Sequence, residues 1–330
     1  MPSPQDLSLI ADIGGTNARF GLCNTEGGLV THVEVLKCAD FAGPTEAAAA
    51  YLEKISPAAP VRRAAFCVAS PVTADQVTLT NHPWSFSIGG VRSGLALQHL
   101  TVINDFRAIA LAVPRLTGKD LTPIGGGTVN PNAPIAVIGP GTGLGVALLV
   151  PGEQPSSWLP VSTEGGHVTL AAATSREAAM IDDLRSLYGH VSAERVISGS
   201  GLVTLYEALC RLDGKAAPDN LAPAGVTAAA LDGSDPVAME TLTMFAALLG
   251  TVAANLCLST GAQGGLYIGG GIIPKLGHGF PAETFRKRFE DKGRFSDYLA
   301  AIPTHVITAE YPAFTGLQAL LLAEQHIGGT

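Results

Sequence analysis

Glycine-rich segments with neighbouring hydroxyl and carboxylate residues are the strongest chemical signal in the chain. They occur at 12–17 (Asp-Ile-Gly-Gly-Thr-Asn), 139–145 (Gly-Pro-Gly-Thr-Gly-Leu-Gly) and 269–274 (Gly-Gly-Gly-Ile-Ile-Pro). Glycine lets a backbone approach a bulky anion and direct several N–H groups at it, while threonine hydroxyls add donors. Together the three segments predict phosphate binding, although any one of them alone would equally suit a tight β-hairpin turn.

The spacing of these glycines excludes two common phosphate-binding motifs. A dinucleotide-binding G-x-G-x-x-G that starts at Gly139 or Gly141 would require glycine at Leu144 or Val146. A Walker A loop also fails, because neither of the chain's two Gly-Lys pairs is followed by Ser or Thr. Any nucleotide must therefore be bound by a different arrangement of glycine turns.

Two carboxylates lie where strands are predicted to end. Asp12 closes an apolar run just before the first glycine pair, where it could hold a hydrated Mg²⁺ ion. Asp105 follows the apolar strand predicted at 100–103 and opens a helix, whose N-terminus favours an ionised carboxylate. The spacing alone equally suits Asp105 as a helix N-cap.

Three further polar residues are candidates for contacting a ligand. Glu164 and His167 flank two glycines in a predicted loop, where the backbone leaves room for close approach of a ligand. A turn with incidental polar residues explains this pattern equally well. Glu194 lies where a helix is predicted to begin after Ser192, and a first-turn glutamate favoured by the helix dipole is the simpler explanation there.

The elements that must position these residues alternate between strands and helices, which is typical of an α/β fold. The predicted strands lie at 7–13, 18–23, 32–38, 64–69, 100–103, 135–138, 144–150, 265–268 and 305–308. The predicted helices lie at 44–55, 105–116, 175–188, 202–212, 236–260, 282–290 and 316–326, with a Gly/Pro/Asn-rich connector at 118–134. Two similar strand–glycine turn–strand units, one in each half, indicate two related lobes, and 330 residues exceed what one core usually organises.

Composition argues against nucleic-acid and membrane partners. The formal net charge is −8 and the pI is about 5.4, so a broad basic face is not expected, and bound phosphate must be held by local groups. Mean hydropathy is +0.30, but the most apolar run, 244–258, is interrupted by Gly250, Thr251 and Asn255. That run is too short and too polar to span a bilayer, and it predicts a buried core helix.

Cysteine usage and the N-terminus predict a cytoplasmic protein. The five cysteines are scattered and form no C-x-x-C pair, which favours buried thiols in a reducing compartment over a disulfide or zinc framework. The N-terminal residues show no basic start followed by a long apolar stretch, as a signal peptide would.

Seven short motifs are distributed over almost the whole chain, from about residue 8 to the last helix. They are Asp12-Ile-Gly-Gly-Thr-Asn-Ala-Arg19, Thr80-Asn-His-Pro-Trp84, Ile103-Asn-Asp-Phe106, Gly141-Thr-Gly-Leu-Gly145, Glu164-Gly-Gly-His167, His190-Val-Ser-Ala-Glu-Arg195 and Glu290-Asp-Lys-Gly-Arg-Phe295. In this order they resemble the bacterial ATP-dependent glucokinases, a hexokinase-like family of the actin-like ATPase superfamily.

The resemblance implies a ribonuclease H-like (actin-like ATPase) fold with two α/β lobes around a central cleft, usually as a homodimer. It implies a small lobe over 1–115, completed by a C-terminal helix at 313–330, and a large lobe over 116–312. It also implies that glucose is phosphorylated by ATP with Mg²⁺, with Asp105 as the base that accepts the proton of the sugar 6-hydroxyl.

The resemblance further assigns binding residues. The sugar pocket is expected to comprise Asn104, Asp105, Glu164, His167 and Glu194. ATP is expected to bind at Asp12, Gly14, Gly15, Thr16, Asn17, Gly141, Thr142, Gly143, Gly269, Gly270 and Gly271. Asp12 is the expected ligand of Mg²⁺, through water.

Two departures separate the chain from a neighbouring group of sugar-responsive repressors and kinases. Residues 168–179 contain no cysteine, so the zinc site of that group is not expected. No helix-turn-helix module precedes residue 8 either. The open alternatives are a kinase for another hexose, a non-catalytic sugar sensor, and ADP or polyphosphate as donor. Acyl-phosphate kinases share the fold class but would not need these hydroxyl-binding carboxylates.

Overall fold

The computed structural model describes residues 7–24, 28–80, 82–153 and 157–328. The chain divides into two compact units, Met1–Leu116 with Glu310–Thr330, and Thr117–Ala309. We call them unit 1 and unit 2. Asn81 of the 80–84 motif and residues 329 and 330 of the predicted C-terminal helix lie outside the described residues.

The described residues form strands and α-helices in alternation. The strands are β1 Leu7–Ile13, β2 Asn17–Asn24, β3 Thr31–Lys37, β4 Arg63–Val68, β5 Gln76–Thr78, β6 Ser85–Ser87, β7 His99–Asn104, β8 Leu121–Gly125, β9 Ile135–Pro140, β10 Leu144–Pro151, β11 Trp158–Thr163, β12 Leu266–Ile268 and β13 Thr304–Ile307. The helices are α1 Pro44–Ile55, α2 Ile88–Gly94, α3 Asp105–Ala112, α4 Ser175–Tyr188, α5 Ala193–Val196, α6 Gly199–Leu212, α7 Pro223–Leu231, α8 Pro236–Thr260, α9 Ile272–Leu276, α10 Ala282–Glu290, α11 Ser296–Ala300 and α12 Pro312–Gly328.

Unit 1 is built on a five-stranded sheet in the order β3-β2-β1-β4-β7. β1, β2 and β3 are antiparallel neighbours, whereas β1, β4 and β7 run parallel. One face packs on α1 and α2, and the other on α3 and α12. Helices α3 and α12 approach closely at Gly316, where a Cβ would lie 1.7 Å from the carbonyl oxygen of Ala108.

Unit 2 repeats this arrangement. Its sheet has the order β11-β10-β9-β12-β13-β8, with β9, β10 and β11 antiparallel and β9, β12 and β13 parallel. The sixth strand, β8, pairs antiparallel with β13 at the edge of the sheet. The two units therefore share one strand order, as the two glycine hairpins of the sequence indicate.

Helix α8 is the one helix among the described residues that is long and apolar enough to cross a membrane. Some 78% of its most apolar window is buried within the molecule, however, where it packs among α6, α7 and α10. The prediction of a buried core helix is therefore confirmed. The five cysteines are also buried, free thiols, as expected from their spacing.

The connector predicted at 118–134 is in part wrong. Residues 121–125 form β8, which pairs with β13 at the edge of the sheet. Pro123 does not prevent this, because a proline that lacks a donor is tolerated on an edge strand. Three other short strands, β5, β6 and β11, were not predicted, nor were α2, α7, α9 and α11.

Candidate active site

Asp12 and Asp105 lie at the same end of the unit 1 sheet, because each is found at the carboxyl end of a strand and the two strands, β1 and β7, run in the same direction. Asp12 is the penultimate residue of β1, and Asp105 comes directly after β7, with β4 between the two strands. The side chains of both are partly buried. One Asp12 oxygen accepts a hydrogen bond from Arg19 Nη1 at 3.0 Å, and the other lies 3.6 Å from the Cys67 thiol sulfur, which donates to it.

Asn104, not Asp105, caps helix α3. The Oδ1 of Asn104 accepts hydrogen bonds from the backbone N–H groups of Phe106 at 2.9 Å and Arg107 at 3.2 Å. Asp105 is the first helical residue, and its carboxylate also accepts from the N–H of Phe106 at 2.9 Å. The alternative that Asp105 is the N-cap is therefore wrong, because the cap side chain is supplied one residue earlier.

The pKa of Asp105 is raised to about 7. Burial is the main cause, and the negative charge of Asp12 adds to it, while hydrogen bonds from Phe106 and Asn104 oppose the shift. The sequence predicts an ordinary, ionised aspartate at a helix N-terminus, and the structure corrects this. Desolvation and a second carboxylate outweigh the helix end. Burial likewise raises the pKa of Asp12, although Arg19 opposes it.

Sequence reasoning missed three residues around these carboxylates. Arg19 and Asp12 are directly opposed in the β1–β2 hairpin, so counting outward from the glycine turn would have paired them. Cys67 is the β4 partner of Asp12, which no local pattern indicates. The buried Ser70 accepts from the Thr80 N–H at 2.8 Å, and its carbonyl accepts from Asn104 Nδ2 at 3.4 Å, so it ties the 80–84 motif to Asn104.

The first glycine turn joins β1 and β2 and lies beside Asp12. The Gly14 N–H donates to the Asn17 carbonyl at 3.0 Å, which closes the turn over Gly15 and Thr16. The Thr16 carbonyl accepts from the Cys38 N–H at 2.9 Å, and Thr16 itself is exposed. Four of the predicted phosphate-binding residues are thus held in one turn next to the predicted Mg²⁺ ligand.

In unit 2 the second and third glycine segments are neighbours. Gly141, Thr142 and Gly143 form the turn between β9 and β10, and the N–H of Gly141 donates to the carbonyl of Gly143 at 2.8 Å. Gly270 follows β12 with a φ of +77°, and a Cβ there would lie 2.4 Å from the Pro140 carbonyl oxygen. Only glycine tolerates both the left-handed backbone and this close approach.

Glu164, His167 and Glu194 are also brought together in unit 2. His167 Nε2 lies 3.9 Å from a Glu164 oxygen, and Nδ1 lies 3.9 Å from Oε1 of Glu194. These distances are too long for hydrogen bonds, so Glu164 and Glu194 lie near His167 without being bonded to it. Glu164 and His167 are about 60% exposed, with side-chain values of 63% and 58%, whereas Glu194 is one-third exposed at 33%.

The two glycines between Glu164 and His167 have a packing role. A Cβ on Gly166 would lie 2.1 Å from the Leu144 carbonyl oxygen, and one on Gly165 would lie 2.9 Å from Val146 Cγ1. The sequence predicts that these glycines make room for a ligand, whereas the structure shows that they let the loop lie against β10.

Glu194 lies in the first turn of the short helix α5, as predicted, but its carboxylate interacts elsewhere. Its Oε2 accepts the backbone N–H of Leu144 at 2.8 Å, at the end of the second glycine turn. The helix is instead capped by Ser192, whose hydroxyl accepts from the Arg195 N–H at 3.2 Å. The simpler explanation, a first-turn glutamate favoured by the helix dipole, is thus incomplete, because it does not account for the bond to Leu144.

The glucokinase family model matches residues 9–324. A glucokinase of Paramagnetospirillum magneticum (strain ATCC 700264 / AMB-1) is 50% identical over 315 residues, which cover 96% of this chain and 97% of that protein. The chain belongs to the glucokinase family.

One solved structure supports the same family, and a second, more distant one shares the fold. The glucokinase of an Antarctic psychrotroph has 38% identity and a TM-score of 0.85, with 96% of this chain and 98% of that one covered. A ROK-family glucokinase of Streptomyces griseus, solved with glucose and AMPPNP, has 21% identity and a TM-score of 0.61, with coverage of 95% and 97%. The predicted ribonuclease H-like (actin-like ATPase) fold is confirmed, and the protein is an ATP-dependent hexose kinase.

Proposed function

We propose that Asp105 is the general base when this kinase transfers the γ-phosphoryl group of ATP to the 6-hydroxyl of glucose, which yields glucose 6-phosphate and ADP. The observation that carries the proposal is the position of Asp105, a partly exposed carboxylate directly after β7, at the end of the sheet where Asp12 and the first glycine turn lie. Burial, with the charge of Asp12, also raises the pKa of Asp105 to about 7. A general base works best when its pKa lies near the working pH, because it is then both deprotonated and able to hold the proton.

The timing of proton transfer suits such a base. Phosphoryl transfer passes through a loose transition state in most analyses, and the attacking hydroxyl gives up its proton late. Asp105 would orient the hydroxyl by accepting its hydrogen bond in the ground state and receive the proton as the O–P bond forms. Asn104 is held beside it by its cap bonds and by the Ser70 carbonyl, which fixes its amide for a second sugar hydroxyl.

Glu164, His167 and Glu194 are proposed to bind the remaining hydroxyls. Carboxylates accept from hydroxyls, and an imidazole both donates and accepts, so the set matches a neutral polyol. A site built to hydrogen-bond a hydroxyl rejects analogues that lack it, by roughly 10⁴-fold in good cases. Each carboxylate lies 3.9 Å from a ring nitrogen of His167, beyond hydrogen-bond distance, which leaves its nearer oxygen available to a sugar.

The three glycine turns are proposed to bind the phosphates of ATP. The chain has a net charge of −8, so its overall field does not attract phosphate. Backbone N–H groups in glycine turns can bind phosphate locally without a charged side chain. The proposed residues are Asp12, Gly14, Gly15, Thr16, Asn17, Gly141, Thr142, Gly143, Gly269, Gly270 and Gly271.

Asp12 and its surroundings fit a hydrated Mg²⁺ ion. Mg²⁺ is usually held by one or two carboxylates, waters and substrate phosphates, and Asp12 lies beside the first glycine turn with a second carboxylate, Asp105, nearby. Desolvation raises the pKa of both carboxylates, and the charge of Asp12 adds to the shift at Asp105; a nearby cation would favour the ionised form of each. When bound, the ion supplies charge neutralisation on the transferred phosphate.

A cytoplasmic location and a homodimer complete the proposal. Five buried free thiols suit a reducing compartment. The homodimer rests on the resemblance to the bacterial glucokinases, and light scattering coupled to size-exclusion chromatography tests it.

One coupled assay tests the proposed function. Glucose, mannose, glucosamine and fructose are each combined with ATP, ADP or polyphosphate, and ADP release and the phosphorylated sugar are both measured. The proposal expects the highest kcat/KM for glucose with ATP. A preference for another hexose would reassign the substrate, and binding of glucose without any turnover would indicate a sugar sensor.

A further inference from the structure

Residues 194 and 199 hold the second glycine turn at both of its ends. The Glu194 carboxylate accepts from the N–H of Leu144, where β10 begins, at 2.8 Å. The N–H of Gly199, at the start of α6, donates to the carbonyl of Gly141, where the turn begins, also at 2.8 Å. The turn proposed to bind nucleotide phosphate is therefore shaped in part by a carboxylate proposed to bind sugar.

Gly143 shows how closely this carboxylate is fitted to the turn. A Cβ at residue 143 would lie 2.4 Å from Oε2 of Glu194 and 3.2 Å from its carboxyl carbon. The backbone of Gly143 does not have a positive φ, so the absent side chain makes room for Glu194 and not for an unusual backbone. At Gly141, by contrast, a Cβ would meet nothing nearer than the Gly271 nitrogen at 4.0 Å.

The two oxygens of Glu194 serve different neighbours. Oε2 is engaged by Leu144, while Oε1 faces His167 Nδ1 at 3.9 Å, on the side of the proposed sugar pocket. Because both oxygens belong to one planar carboxyl group, a ligand bound to one oxygen narrows the orientations open to the other. A sugar hydroxyl on Oε1 would therefore restrict the position of Oε2, and with it the N–H of Leu144.

We propose that Glu194 couples the sugar site to the nucleotide turn, so that each substrate raises the affinity of the enzyme for the other. The coupling rests on the proposed function, since it takes Glu194 as a sugar ligand and the turn as a nucleotide ligand. It acts through ordering of one shared carboxylate within unit 2. Coupling between two binding equilibria is reciprocal, and its usual size is about 5- to 150-fold in affinity.

Gly143→Ala provides the first test. The added methyl group should push the Glu194 carboxylate aside, because the group it meets is the end of a flexible side chain. Without nucleotide, calorimetry should show a glucose Kd raised by about fivefold or more. Gly225→Ala, in α7 of the same unit and outside the proposed sites, adds a methyl that would meet only Leu221 Cδ1 at 3.9 Å, and its nucleotide-free glucose Kd should stay within about twofold of wild type.

A double-mutant cycle identifies Glu194 as the link. In a Glu194→Asp background the shorter side chain leaves space for the methyl, so Gly143→Ala should change the glucose Kd by less than about twofold. An equal effect of Gly143→Ala in both backgrounds, or no effect in either, would overturn the coupling.

The reciprocal arm uses AMPPNP and decides the question if Gly143→Ala fails to fold. Saturating glucose should raise AMPPNP affinity in the wild type by about fivefold or more, and this ratio should fall toward one in Glu194→Asp. A ratio that stays at the wild-type value in Glu194→Asp overturns the inference. If the wild type binds no glucose, the proposed function fails instead, so the two failures are distinguishable.

Discussion

The negative charge of Asp12 raises the pKa of Asp105, although the two residues belong to strands separated in the sheet by β4. Asp12 is itself paired with Arg19 at 3.0 Å, which neutralises part of that charge. Burial, the larger cause, and the charge of Asp12 together raise the pKa of Asp105 to about 7, close to neutral pH. This relationship connects the proposed metal ligand with the proposed base, and the predictions below separate the two roles.

Asp105→Asn should lower kcat by several orders of magnitude while glucose KM stays within several-fold. The amide keeps the size and most hydrogen bonds of the carboxylate, but it cannot accept the proton in the transition state. Steady-state kinetics with both substrates varied measures the effect. Near-normal turnover would remove Asp105 from the role of base.

The activity of the wild type should fall as pH drops below about 7. Asp105 accepts a proton only when it is ionised, and its pKa is raised from an ordinary 3.8 to about 7. A profile of kcat/KM against pH, at saturating Mg²⁺, should show an acid limb with a midpoint near or somewhat below 7, because a cation favours the ionised form. A profile that stays flat down to about pH 5 would mean an unperturbed carboxylate.

The stability of Asp105→Asn supplies an independent check on that pKa. A carboxyl group whose pKa is higher in the folded than in the unfolded state favours folding below pH 3.8, and this contribution is lost as the pH rises to about 7. Replacement by a neutral amide removes the loss. The Tm difference between variant and wild type should therefore grow in favour of the variant between these pH values and level off above.

Asp12→Asn should raise the Mg²⁺ concentration needed for half-maximal activity by about tenfold or more, because a neutral amide is a poor ligand for this hard cation. Titration of Mg²⁺ at fixed, saturating glucose and ATP measures it. Asp40→Asn, an exposed substitution in the same unit, is the control and should leave the Mg²⁺ dependence unchanged. Equal Mg²⁺ requirements in wild type and Asp12→Asn would contradict the assignment.

Glu177→Ala should lower stability by about 3–5 kcal/mol, because it breaks a buried ion pair and leaves a buried cation. The Glu177 side chain is 3% exposed and accepts from Arg288 Nη1 at 2.8 Å. Its other oxygen accepts the N–H groups of Ala173 and Thr174, which completes the capping box of α4. Thermal denaturation should show the loss, whereas Asp182→Ala on the same helix, with a side chain 69% exposed, should cost less than about 1 kcal/mol.

Much of the fold could be predicted from local sequence. The helices at 44–55, 175–188, 236–260 and 282–290 begin and end as predicted. Proline in the first turn of α1 and α8 and the capping box of α4 mark their starts. Strands flanking glycine turns were equally clear. The short strands β5, β6, β8 and β11 were not, because strands of three to six residues are stabilised by pairing partners distant in sequence.

The sequence predicts which residue types form the candidate site, but it does not predict their electrostatics. Nothing local to Asp105 indicates that Asp12 raises its pKa, since sheet topology alone brings the two carboxylates to one end of unit 1. The bond between Glu194 and the Leu144 N–H depends in the same way on α5 packing beside the second glycine turn. Local patterns suit Asp105 as the cap of α3, whereas the structure has the cap one residue earlier, at Asn104. Asn and Asp are both good caps, so residue type alone does not separate them.

Glu164→Gln and Glu194→Gln should each raise the KM for glucose by about tenfold or more, because a hydrogen bond to a charged acceptor is worth about 1.5–3 kcal/mol. The KM for ATP should change less, since a glutamine oxygen at 194 can still accept the Leu144 N–H that fixes the glycine turn. Glu283→Gln, an exposed substitution in α10 of the same unit, is the matched control and should leave both constants as in the wild type. An unchanged glucose KM in either variant would remove that glutamate from the sugar pocket. A loss confined to Glu194→Gln, with Glu164→Gln unaffected, would place the sugar nearer to Glu194 than to Glu164.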